Sequence, residues 1–230
     1  MDLFFGTTNP GKLRELRRLV VGLPLRVLSP EELGRPLPEV EEDGVTFRQN
    51  AEKKASAYAR LTGLPALADD SGLCVDALAG APGVHSARWS AMDDGFSSPA
   101  CAMAEAGPRE LGPELTRAAR DEANNDKLLR VLEGVPENLR GAAYVAVLAL
   151  ARPDGAIAAQ VEGTCRGRIG RARRGGGGFG YDPLFVPDGQ GGRTMAELDA
   201  AEKDAISHRG AAFRALRPAL ERLAFDKGGV

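Results

Sequence analysis

Short apolar runs alternate along this chain with longer stretches in which apolar residues return every three or four positions, the signature of strands interleaved with helices. Leu3-Phe4-Phe5 reads as a short strand, and Leu13, Leu16, Leu19 and Val20 then recur at helical spacing. Phe47, Ala51, Ala55 and Tyr58 mark one face of a second helix, opened by a capping box at Thr46 and Gln49 and stopped by Gly63. The run 64–68 reads as a buried strand that breaks off at Asp69-Asp70-Ser71-Gly72. A helix is expected over 116–133, ending at Gly134. Residues 140–151 and 156–165 are expected to pair as a hairpin, because Arg152-Pro153-Asp154-Gly155 between them is a turn sequence. Thr194 and Glu197 form another capping box, expected to open a helix through residue 204. Phe213, Leu216, Leu220 and Leu223 mark a last amphipathic helix in which Pro218 is a candidate kink. Both kinds of strand connection occur, which predicts a mixed sheet.

The polar breaks in this pattern carry the candidate chemistry. Open α/β sheets bind ligands beyond the carboxyl ends of their strands. Asp69 and Asp70, placed there, repel each other unless a cation joins them, and a divalent metal is the usual guest. A polar turn that caps the next element is the plainer alternative. Gly6 to Lys12 lies between the first strand and the first helix, where backbone N–H groups and a lysine suit an anion. Its spacing matches G-x-x-x-x-G-K, but Leu13 stands where a serine or threonine would ligate magnesium, which argues against an ordinary phosphate-binding loop. Lys54 lies on the apolar face of the second helix, one turn after Asn50, whereas Lys53 is rotated about 100° towards water. An inward lysine is costly unless it meets an anion. Gly175 to Gly178 would read as a linker, except that Phe179-Gly180-Tyr181 follows and could pack or stack on a base.

Composition narrows the field. The 230-residue chain is long enough for one substantial core or two lobes sharing a sheet. A formal charge of −2 gives no broad basic field for nucleic acid or an anionic membrane. Arg166, Arg168, Arg171, Arg173 and Arg174 could reach phosphates but read equally as a solvated face. Cys74, Cys101 and Cys165 are few and widely spaced, which suggests a reducing cytoplasm and no disulfide framework. With His85 and His208 alone, a histidine-rich zinc site is not expected. Neither a signal peptide nor a membrane span is expected.

Several blocks together resemble a known family. They are Thr7-Thr8-Asn9-Pro10-Gly11-Lys12, Glu41-Glu42-Asp43-Gly44-Val45-Thr46-Phe47, Asn50, Lys54, and Ala68-Asp69-Asp70-Ser71-Gly72-Leu73. Ala81-Pro82-Gly83-Val84, Ser86-Ala87-Arg88, Asn124-Asn125, Gly177-Gly178-Phe179-Gly180-Tyr181-Asp182-Pro183, Lys203 and Ser207-His208-Arg209 follow in order. The pattern resembles the inosine triphosphate pyrophosphatase family, over almost the whole chain. The departures are His85 in place of a tyrosine, Trp89 in place of another aromatic, and a longer connection at 91–117.

The resemblance implies an elongated α/β fold, with a mixed twisted sheet, flanking helices and two lobes around a central cleft, in a single domain spanning 1–230 that forms a homodimer. It implies a cytoplasmic enzyme that hydrolyses inosine, deoxyinosine and xanthosine triphosphates to monophosphate and pyrophosphate, with neither nucleic acid nor membrane as partner. Glu41 and Asp70 would hold Mg2+, with Glu42 an open alternative to Glu41. Asp70 would also take the proton of the attacking water, leaving Asp69 the lesser share. Lys12 and Lys54 would balance phosphate charge, and Thr7, Thr8, Asn9, Pro10, Gly11 and Ser71 would line the phosphates. Phe179 would stack on the purine within Gly180-Tyr181-Asp182, with Asp182, Lys203, His208 and Arg209 at its polar edge. Donors from His208 or Arg209 suit a 6-keto base and mispair adenine. A pyrophosphatase for modified pyrimidine nucleotides and a non-catalytic nucleotide-binding regulator are the alternatives.

Overall fold

The computed structural model describes residues 1–92 and 116–225. Most of the long connection at 91–117, with Cys101, lies outside the described residues. The strands are β1 (Asp2–Phe5), β2 (Arg26–Leu28), β3 (Ala66–Val75), β4 (Gly141–Ala151), β5 (Ile157–Ile169) and β6 (Phe185–Pro187). The helices are α1 (Pro10–Leu19), α2 (Phe47–Thr62), α3 (Arg117–Val131), α4 (Ala200–Ile206) and α5 (His208–Phe225). The sheet order is β2-β1-β3-β4-β5-β6. β1 runs parallel to β2, with Leu3 opposite Val27, and parallel to β3, with Phe4 opposite Ala66. β5 runs antiparallel to β6, with Arg168 opposite Val186, so the sheet is mixed as expected.

The chain divides into two compact units, with boundaries inside β3, β4 and β5. The first comprises Met1–Ser71, Tyr144–Cys165 and Ala200–Val230. Here the strand alternation builds two cores. Leu3, Phe5, Leu67, Leu148 and Leu150 face Leu16 of α1 and Phe213, Leu216 and Leu220 of α5. Phe4, Ala66, Ala68, Val147 and Ala149 face the alanine stripe Ala51, Ala55 and Ala59 of α2. Each large side chain so buried contributes about 1.5–3 kcal/mol, which is why the central strands tolerate little polarity except where it is paired. The β4–β5 turn forms where expected, with Arg152 and Gly155 closing it through backbone hydrogen bonds.

The second unit comprises Gly72–Ala143 and Arg166–Asp199. Its keystone is Arg140, 2% exposed. The guanidinium donates to the carbonyls of Leu132 (2.7 Å), Ile169 (2.9 Å) and Gly170 (2.9 Å), tying the end of α3 to the end of β5.

Two sequence expectations need correction. β3 does not stop at the acids: it runs on to Val75, because Leu73 and Val75 are fully buried and continue the strand alternation beyond Gly72. Asp69 and Asp70 are therefore mid-strand residues. The capping box of Thr194 and Glu197 opens only a 3-10 turn over Met195–Glu197. Leu198 then leaves the helical region (φ −88°, ψ 147°) to bury its side chain, and α4 starts afresh at Ala200.

Candidate active site

The acids of β3 sit in the first unit among cations from three helices. Asp69 is 2% exposed and Asp70 5%. Lys12, in the first turn of α1, donates to Asp69 Oδ1 at 2.8 Å. Arg209, in the first turn of α5, donates from Nε to Asp69 Oδ2 (3.1 Å), from Nη2 to Ser71 Oγ (2.8 Å) and from Nη1 to Glu15 (3.0 Å). The Ser71 hydroxyl donates to Asp69 Oδ2 at 3.2 Å. Burial works to raise the pKa of Asp69, but Lys12, Arg209 and Lys54 outweigh it and hold the carboxyl well below the usual range.

Asp70 is held differently. It accepts the Asn50 amide (2.9 Å) and the Ser71 N–H (3.1 Å), and Lys54 Nζ stands 3.9 Å away. Burial raises its pKa and the nearby cations do not fully offset it. Lys54 reaches these acids because α2 keeps the register that the capping box sets. Its ammonium donates to the Asp69 carbonyl (2.7 Å) and to Glu42 (2.6 Å). Burial works to lower its pKa, but Asp70, Glu42 and Asp69 raise it. Lys53 faces solvent and pairs with Asp43 instead.

Between β1 and α1, Asn9 caps the helix: its side chain accepts from Gly11 N (2.9 Å) and Lys12 N (3.4 Å), with Pro10 at the first helical position. Two N–H groups that would cradle an anion are thus engaged by Asn9, and Thr7 Oγ1 accepts the Asn9 N–H at 3.2 Å. Thr8 is exposed. Of the two glutamates, Glu42 meets Lys54, whereas Glu41 is exposed.

Glu15 was not among the residues the sequence singled out. It is 5% exposed and bridges Arg209 and Lys203 (2.9 Å). Burial works against its charge, but the two cations hold its pKa down. The available signal was an acid in line with Lys12 and Leu19 at three- and four-residue spacing on the first helix. His208 is 3% exposed, with its ring stacked on Tyr144 (centroids 4.6 Å apart, planes at 12°). Burial and then the charges of Arg209 and Lys203 push its pKa well below the ordinary imidazole value, so it is neutral at pH 7. α5 can begin here because Gly163 of β5 lies against it: a Cβ would come within 2.1 Å of the His208 carbonyl.

The other expected residues belong to the second unit. Phe179 is partly buried, and Tyr181 and Asp182 are buried. Asp182 accepts the Phe179 N–H (2.9 Å), and the Tyr181 hydroxyl donates to the Ser86 carbonyl (2.9 Å). Asn124 Nδ2 also donates to the Ser86 carbonyl, at 3.2 Å.

Residues 3–219 match the Ham1 family. The chain belongs to the Ham1 family. A dITP/XTP pyrophosphatase of Anaeromyxobacter sp. (strain Fw109-5) is 72% identical over 226 residues, covering 97% of this chain and 98% of that protein. The dITP/XTP pyrophosphatase of Anaeromyxobacter dehalogenans (strain 2CP-C) is 67% identical, covering 97% and 99%. Among solved structures, a HAM1 protein from Coxiella burnetii superposes with a TM-score of 0.75 at 36% identity, covering 96% of this chain and 98% of that one. The paired acids, the lysines and the Ser-His-Arg block thus sit in a Ham1 chain, which is what the sequence pattern implied.

Proposed function

We propose that this Ham1 chain hydrolyses non-standard purine nucleoside triphosphates (inosine, deoxyinosine and xanthosine triphosphates) to the monophosphate and pyrophosphate, clearing them before incorporation into nucleic acid. The observation that carries this reading is the buried Asp69–Asp70 pair, ringed by Lys12, Lys54 and Arg209, in a chain 72% identical to a dITP/XTP pyrophosphatase. Phosphoryl transfer needs charge neutralisation and positioning more than covalent help. Lys12 and Lys54 supply the charge. Asp70 accepts the proton of the attacking water, a task that suits a carboxylate whose burial has raised its basicity.

The donors fit magnesium. Asp70 is buried with its charge incompletely offset, and carboxylate oxygen is the ligand a hard cation prefers. Among the described residues no group of three or more His, Cys, Asp or Glu could hold a metal, so the rest of the coordination would have to come from the substrate and water. Asp70 with Glu41 would hold it, and Glu42, already bound to Lys54, is the competing ligand. When bound, magnesium neutralises phosphate charge and acidifies water. Phe179 stacks on the purine, and Lys203, His208, Arg209 and Asp182 serve its polar edge. We further infer that residues 1–230 act as one domain, as a cytoplasmic homodimer.

Pyrophosphate release from inosine, xanthosine, guanosine, adenosine and thymidine triphosphates, with and without Mg2+, tests the proposal. Rapid metal-dependent release from the first two alone is expected. Preference for thymidine or another pyrimidine triphosphate, or no turnover at all, would overturn it.

A further inference from the structure

Helix α3 carries two side chains that close on a single glycine. Asp121 accepts the Gly180 N–H through Oδ2 at 2.9 Å. Asn125, one turn later on the same helix face, donates from Nδ2 to the Gly180 carbonyl at 2.9 Å. Both polar groups of that residue are therefore gripped by one helix.

The grip bears on the neighbouring Phe179. Its own N–H is held by Asp182 (2.9 Å), so the peptide planes on both sides of Phe179 are fixed, one by Asp182 and the other by Asp121. With both planes fixed, the direction of its Cα–Cβ bond is fixed too. The glycines on either side make the path possible: Gly178 (φ +76°) and Gly180 (φ +64°) take left-handed conformations, and a Cβ on Gly178 would lie 2.0 Å from Asp182 Oδ2.

Asn125 is a costly partner for the Gly180 carbonyl. It is 1% exposed, and its Oδ1 has no partner among the described residues. A buried amide with an orphaned acceptor costs more than an apolar residue of the same size would. The Gly180 carbonyl also fixes the amide's orientation, since a flip would set Oδ1 against it. Asp121, half-buried, has its carboxyl pKa raised by burial, with the Gly180 N–H acting in the opposite direction. The helix thus keeps two expensive groups where both meet Gly180.

We propose that Asp121 and Asn125 are positioning residues that aim Phe179 at the substrate base. They touch no substrate: Asp121 holds the peptide plane between Phe179 and Gly180, and Asn125 holds the next plane, so Gly180 is fixed on both sides and Phe179 with it. The inference rests on the reading of Phe179 as the stacking residue.

A double-mutant cycle tests it. Asn125→Asp replaces the donor with an acceptor facing a carbonyl. It should raise KM for inosine triphosphate by about tenfold, within what the loss of one base stack can cost, with kcat within about twofold. In a Phe179→Ala background the same change should move KM by less than about twofold, because no ring remains to be aimed. Asp121→Ala should likewise raise KM. Asp121→Asn, whose amide oxygen can still accept the Gly180 N–H, should restore it, and this pair decides the matter if Asn125→Asp does not fold. Equal effects of Asn125→Asp with and without the ring, an unchanged KM in Asn125→Asp, or no rescue by Asp121→Asn would overturn the proposal. If Phe179→Ala raises KM and Asn125→Asp does not, the clamp alone fails. If Phe179→Ala leaves KM unchanged, the stacking reading fails and takes the clamp with it.

Discussion

Adjacent aspartates on one strand alternate sides, and their surroundings give Asp69 and Asp70 opposite roles. Asp69 is a hub: Lys12, Arg209 and the Ser71 hydroxyl all bond its carboxylate, and its pKa is held down. The family resemblance implied Asp70 as the proton acceptor, and the order of residues alone cannot show that Asp69 is the acid that Lys12 and Arg209 meet. Asp69→Asn leaves Lys12 and Arg209 without their shared anion. Removing one member of a buried ion pair costs about 3–5 kcal/mol, so urea unfolding should show a loss of that order. Asp70→Asn should differ in both respects. Its neutral amide replaces a charge that burial already disfavours, so stability should change little. Turnover should fall by roughly a thousandfold or more, since the proposed proton acceptor is gone. In the intact protein, a base with a raised pKa must be deprotonated to act. Activity should therefore fall on acidification, at a pH that drops as Mg2+ is raised, because a cation at the carboxylate favours its charged form. A pH profile with no such limb would remove Asp70 from this role.

At the scale of elements, the sequence was most legible where local chemistry sets the boundary. The capping box of Thr46 and Gln49 and the αL Gly63 are where the pattern placed them, and the register of α2 follows. That register turns Lys54 inward and Lys53 outward. Lys54→Ala should raise KM or lower kcat clearly for inosine triphosphate, and Lys53→Ala should leave both within about twofold, since exposed ion pairs are worth about 0–1 kcal/mol. Equal losses would refute the assignment of Lys54. The illegible boundaries were those decided by burial. β3 continues through its acids because Leu73 and Val75 pack beyond them, and the Thr194 box yields one 3-10 turn because Leu198 is drawn into the interior. Glu15 was missed for the same reason: its partners, Lys203 and Arg209, lie 188 and 194 residues further along the chain (203 − 15 and 209 − 15). Local periodicity cannot report contacts of that range.

Across the whole molecule, family resemblance was readable because its blocks keep their order over most of the chain, and the match over residues 3–219 bears it out. The charge state of the interior was not readable, and it makes a prediction for stability against pH. Burial first, and then the charges of Arg209 and Lys203, keep His208 neutral in the folded protein. In the unfolded chain it titrates near pH 6.5. Below that pH the unfolded state binds a proton that the folded state refuses, so acidification favours unfolding. The slope approaches ~1.4 kcal/mol per pH unit while one extra proton is taken up. Asp69 and Glu15 have lowered pKa values, so the stability they contribute is present above about pH 4 and is lost only as pH falls through their folded values. Asp70 has a raised pKa and acts in the opposite sense, binding its proton more readily when folded. The window between about pH 4 and 6.5 therefore isolates His208 once Asp70 and Asp121, whose pKa burial likewise raises, are cancelled by comparison with a variant. His208→Gln removes the titrating ring and leaves Asp70 and Asp121 in place. The intact protein should lose stability steeply between pH 7 and 5, and His208→Gln should show a shallower slope over the same range. Urea unfolding at half-unit intervals measures both slopes, and parallel curves would show that His208 is not the buried neutral group described here.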